Sequence, residues 1–133
     1  MIEYPGTDGT PRSHLPFSPC VKVGNLLFVS GQASVDATGR IVPDSFEGEF
    51  RRSVENLRQI LRDAGSDLTR VVQTRNYVRD GADLPEYNRL YREYFAAPYP
   101  ARTTIVNCLT PALRFNIEAI AVRQAQVQDH EVR

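Results

Sequence analysis

The sequence predicts an α/β chain of the α+β kind, a two-layer sandwich with two helices on one face of a mixed sheet. Three observations carry this expectation. Two stretches, near 46–64 and 84–95, repeat apolar residues at helical spacing. About five short runs suit β-strands. Their order along the chain is β-β-α-β-α-β-β. A chain of 133 residues with 41% apolar content can bury a core, so one domain is expected over 1–133. Its core spans about 16–122, after a loose lead-in over 1–15 and before a frayed tail over 123–133.

CVKV at 20–23 and LLFVSG at 26–31 read as two strands joined by a tight turn at Gly24-Asn25. Thr38-Gly39 is a second turn signal. Asp44 with Glu47 fits a capping box for the first helix. Phe46, Phe50, Val54, Leu57, Ile60, Leu61 and Ala64 form its apolar face, opposite Arg51, Arg52, Glu55, Arg58 and Arg62. Gly65 is its natural stop. VVQTRNYV at 71–78 is a third strand. Asp83 is expected to cap the second helix, with Pro85 in the first turn and Glu86 completing a capping box. The stripe of that helix is Leu84, Tyr87, Tyr91, Tyr94 and Phe95, and Pro98 and Pro100 prevent continuation. Two closing strands follow near 102–108 and 113–122.

The last strand separates two faces. Leu113, Phe115, Ile117, Ala119 and Ala121 suit the helices; Arg114, Asn116, Glu118, Ile120 and Val122 lie opposite. Two helices cover only one sheet face. The second face mixes apolar with ionisable groups, so packing against other subunits is favoured over a solvated face, which antiparallel sheets also tolerate.

Composition narrows the function. A formal net charge of zero argues weakly against nucleic acid or a membrane surface as partner. No apolar run approaches a membrane span, and the start lacks the basic and apolar regions of a signal peptide. Cys20 and Cys108 are therefore expected as free thiols in a reducing cytoplasm, packed as small buried hydrophobes. The two histidines, His14 and His130, lie near the ends, so a histidine base, a triad or a histidine-rich metal site is not expected.

Arg102 precedes an apolar run and has two readings. It is a strand-edge arginine paired with a surface acid, or a fixed receptor whose planar fork grips a carboxylate. Thr103 and Thr104 add hydroxyl and backbone donors beside it. Ser30 lacks a nucleophile-elbow pattern and reads as a hydrogen-bonding residue, with Gly31 permitting close approach. Asn88 alone would be a surface residue, and Glu118 is a carboxylate within a strand, paired or functional.

PFSPCVKVGNLLFVSGQ, ENLRQILRDAGSDLTRVVQTRNYVRD, PEYNRLYREYF, YPART and NIEAIAV, in this order, resemble the RidA (YjgF-type) family, also labelled endoribonuclease L-PSP, from about Pro16 to Val122. The resemblance implies a chorismate-mutase-like fold, a homotrimer and clefts between subunits that bind small carboxylates. It implies hydrolysis of enamine or imine intermediates such as 2-aminoacrylate to 2-oxo acids and ammonia, without a cofactor. It makes Arg102 the carboxylate ligand and matches Ser30 and Asn88 to family positions. Three positions depart from the family pattern. Phe17 stands for a tyrosine, Thr104 for a common cysteine, and Asn116 for a glutamate implicated in positioning the hydrolytic water. The loop 96–100 is also shorter than in many members. Asn116 cannot act as a base, while Glu118 shares its strand face. An imine deaminase is the leading expectation. A carboxylate-binding or sensing trimer without turnover is the alternative, and an endoribonuclease or translation inhibitor comes last.

Overall fold

The computed structural model describes residues 1–5 and 15–123. The expected lead-in at 6–14, the tail at 124–133, and both histidines lie outside the described residues. The elements are β1 (Ile2–Glu3), β2 (Cys20–Val23), β3 (Leu26–Gln32), α1 (Phe46–Asp63), β4 (Val71–Val78), α2 (Leu84–Tyr94), β5 (Ala101–Val106) and β6 (Phe115–Val122). They form one six-stranded sheet in the order β1-β2-β3-β6-β4-β5. Only β4 and β5 pair in parallel, across the α2 connection; the other pairings are antiparallel. The expected α+β layering and mixed sheet are therefore present.

The core lies between the helices and one sheet face. Phe50, Val54, Leu57, Ile60 and Leu61 of α1 are fully buried, as are Phe115, Ile117 and Ala121 of β6. The Phe50 and Phe115 rings meet at 4.7 Å between centroids. Burial alternates strictly along β6, as the two-residue side-chain period requires.

Several local expectations need correction. β1 lies inside the expected lead-in, pairing with β2 and held by a Lys22–Glu3 ion pair at 2.8 Å. Ser45, not Asp44, caps α1 by accepting the Gly48 N–H at 3.1 Å. Asp44 instead accepts the Ser45 N–H. Asp83 makes no capping hydrogen bond, because residues 81–83 already wind as a 3-10 turn into α2. Asp80 caps that turn through Ala82 N–H. The closing strands are shorter than expected. Asn107 adopts φ 65° and ends β5, while Leu113 closes a turn onto Thr110 before β6 begins. Leu113 and Arg114 thus lie outside the alternating strand. Cys20 is buried but Cys108 is exposed in the loop past Asn107, contrary to its expected burial. Desolvation pushes the Cys20 thiol up to about 11.

The C-terminus of α1 follows the expectation. Gly65 has φ 84°, and the bonds from Gly65 N–H to Arg62 and from Ser66 N–H to Leu61 close a Schellman motif.

Candidate functional site

Two groups of the expected site residues lie on opposite sides of the sheet. On the helix side, Arg102 pairs in register with buried Thr74, and Thr104 with buried Asn76. The Arg102 guanidinium carbon stands 4.9 Å from the ring centroids of both Tyr87 and Tyr91 on α2. These two tyrosines, four residues apart, form an aromatic seat for the cation.

Hydrogen bonds hold the seat. Tyr91 and Thr74 share their hydroxyls at 2.7 Å, as do Tyr87 and Thr104. Asn76 donates to Thr74 Oγ1 at 3.0 Å and to the Thr103 carbonyl at 3.2 Å. Its Oδ1 is buried and has no partner among the described residues, so the amide donors are what anchor it there. Burial pushes the Tyr87 phenol up to about 12, and raises Tyr91 by the same cause. Both rings therefore face Arg102 as neutral groups. No described carboxylate pairs with Arg102, so its expected surface ion pair is not formed among the described residues. A cavity of about 230 Å³ opens beside it, lined by Asn88, Tyr91, Arg92, Tyr99, Pro100 and Arg102.

The second group lies on the bare sheet face. A shallow cavity of about 370 Å³ there includes Ser30, Arg75, Phe28, Ile120 and Glu118 in its lining. Glu118 accepts a 2.6 Å bond from the Tyr77 hydroxyl and sits across from Arg75 in register. That hydrogen bond, followed by burial, raises the Tyr77 phenol. Ser30 donates to the Ser18 carbonyl at 2.6 Å and is thus committed as a structural donor. Asn116 lies against Gly31: a Cβ on Gly31 would stand 2.5 Å from Asn116 Oδ1. Phe17 is 52% exposed, in the segment leading to β2. Thr103 pairs with Arg75 and so belongs to this side.

The structure thus joins Arg102, Thr104 and Asn88, and separately Ser30 with Glu118 and Gly31 with Asn116. It does not bring Arg102 to Glu118 or Asn116, because the sheet separates them. Tyr87, Tyr91, Thr74 and Asn76 were missed as site residues. The tyrosines read as an apolar stripe, but Thr74 and Asn76 alternate on the core face of β4, where polar residues are a signal.

The family model described as Endoribonuclease L-PSP matches residues 7–123. The chain belongs to this family, the RidA/YjgF family. A RutC family protein of Pyrococcus abyssi is 37% identical over 120 residues, covering 89% of this chain and 94% of its own length. A Mus musculus protein named 2-iminobutanoate/2-iminopropanoate deaminase is 35% identical over 119 residues, covering 88% of each. The solved structure of Escherichia coli TdcF with bound serine aligns with a TM-score of 0.82 at 30% identity, covering 92% of this chain and 99% of that one. Relatives of this RidA/YjgF chain include chloroplastic and mitochondrial proteins, so membership assigns no compartment. Among the described residues, no helix is long and apolar enough to cross a membrane.

Proposed function

We propose that this RidA/YjgF chain hydrolyses small carboxylate-bearing enamines or imines to 2-oxo acids and ammonia. Arg102 of one subunit grips the carboxylate, and the bare sheet face of the next subunit closes the cleft in a homotrimer. The observation that carries this reading is Arg102 itself: a guanidinium without a described acid partner, stacked on two neutral tyrosines at a cavity mouth. Relatives named as imine deaminases support the reaction class. The exposed Val23, Leu26 and Phe28 on the bare face, at 41%, 42% and 39%, support a cover by protein.

The chemistry asks little of a base. Protonation at carbon converts the enamine to its imine. Water adds to the imine carbon, and the resulting carbinolamine expels ammonia to leave the 2-oxo acid. An imine is already electrophilic, so a fixed carboxylate and an oriented water supply much of the effect. Asn116 offers amide hydrogen bonds to such a water but cannot take its proton. Glu118 keeps one carboxylate oxygen beyond its bond to Tyr77 and is the acid group closest in role.

A pyridoxal-phosphate enzyme releasing 2-aminoacrylate, mixed with this protein, tests the reading through the rate of oxo-acid formation. Acceleration that disappears in Arg102→Ala is expected. Carboxylate binding without acceleration across several imines supports instead the second reading, a non-catalytic carboxylate-binding trimer, which Asn116 favours. A monomer in light scattering contradicts the intersubunit cleft.

A further inference from the structure

We propose that Arg92 makes this site selective for dicarboxylic imines, those derived from four- or five-carbon amino diacids. This rests on the reading of Arg102 as the carboxylate clamp. Arg92 lines the same cavity as Arg102, one residue beyond the Tyr91 ring on which Arg102 stacks. Among the described residues, the cavity therefore has two arginines in its lining and no carboxylate. Two cations sharing one small space repel each other, and a ligand with two anionic groups relieves that repulsion where a monocarboxylate cannot.

The position of Arg92 suits a second clamp. It sits in the last turn of α2, and its Nη1 leans back to the Asn88 carbonyl at 3.3 Å. That bond uses one of five guanidinium N–H donors and leaves the fork able to receive a carboxylate. Neighbouring cations are differently engaged: Arg51 pairs with Glu47 and Glu93, and Arg89 with Glu47, Glu86 and Glu93. Arg92 has no ion pair among the described residues. Glu47, Glu86 and Glu93 are thus engaged by Arg51 and Arg89, and none of them lines the cavity. Tyr99 and Pro100 close the remaining wall without a negative charge.

The bound imine carries one carboxylate on its reacting carbon, held by Arg102, and a distal carboxylate at Arg92. Hydrolysis then consumes one water, breaks the C=N bond and releases ammonia and the 2-oxo diacid. Selectivity resides at the distal end, away from the bond that changes.

The experiment supplies imines in situ from amino-acid oxidases acting on alanine or on aspartate, and measures kcat/KM with the whole protein. Wild type should prefer the dicarboxylic imine. Arg92→Gln should lower that substrate about tenfold, the worth of one charge-assisted hydrogen bond at an open rim, and leave the monocarboxylic imine within about twofold. Arg92→Glu should invert the preference, and rising salt should shrink it. Titration of butanedioate and butanoate followed by NMR gives the same comparison without turnover. Equal effects of Arg92→Gln on both ligands, or none, overturn the proposal. Loss of neither ligand in Arg102→Ala overturns the clamp reading instead.

Discussion

Tyr91 separates the two parts of the Arg102 seat, its ring and its hydroxyl. Tyr91→Phe keeps the ring 4.9 Å beneath the guanidinium and deletes the 2.7 Å bond to Thr74. Thr74 is fully buried but still accepts the Asn76 amide. One partner is lost rather than all, so the cost is about 1 kcal/mol. For a chain of 133 residues, entropy of unfolding near 2 cal/mol/K per residue turns this into a fall in Tm of about 4 °C. Tyr91→Leu removes the ring as well. A cation–ring contact at an exposed site is worth about 0.5–1 kcal/mol, so carboxylate affinity should weaken about two- to fivefold beyond Tyr91→Phe. Thermal unfolding and a carboxylate titration of both variants provide the assay. If Tyr91→Phe weakens carboxylate binding as much as Tyr91→Leu does, the hydroxyl network rather than the ring holds Arg102, and the seat argument fails.

Three further outcomes are expected. Glu49, 2% exposed, accepts the N–H groups of Arg114 and Asp44, at 2.9 and 3.2 Å. Glu49→Gln turns one acceptor into a donor facing a donor and should cost about 1–3 kcal/mol in denaturant unfolding, while the smaller Glu49→Asp should lose both reaches. Asn116→Glu should raise kcat for imine hydrolysis in steady-state assays if a water-positioning carboxylate limits the rate. The Tyr87 phenol, pushed up to about 12 in the fold, titrates near 10 when unfolded, so its stabilising effect is full below pH 10 and lost as pH rises towards 12. A shift of this size corresponds to about 3 kcal/mol, and Tyr87→Phe should flatten that part of the stability–pH curve.

Much of the architecture was legible because period and punctuation agree. The alternation of Phe115, Ile117, Ala119 and Ala121 named the buried face of β6, and Gly65 named the end of α1. β1 was not legible: two residues carry no period, and their pairing depends on β2 and the Lys22–Glu3 contact. The helix starts slipped because several polar residues stand close together. Asp44, Ser45 and Glu47 all suit a cap, and only the backbone at Ser45 selects one. Within the site, Arg102 stood out as a charge beside an apolar strand. Its seat did not, because Tyr87 and Tyr91 satisfy an apolar stripe as well as phenylalanine would. The separation of Arg102 from Glu118 was invisible in a linear reading. It follows from the pairing of Thr74 with Arg102 and of Arg75 with Glu118, which puts neighbouring residues of β4 on opposite faces.

That separation makes subunit mixing the most direct test of the intersubunit cleft. Arg102→Ala and Glu118→Ala are each expected to lose imine hydrolysis as pure proteins. Mixed at equal amounts, unfolded and reassembled, they should recover about a quarter of wild-type activity, because that share of interfaces pairs an intact Arg102 with an intact Glu118. Mixed oligomers that form by light scattering and mass spectrometry yet stay inactive would contradict the account.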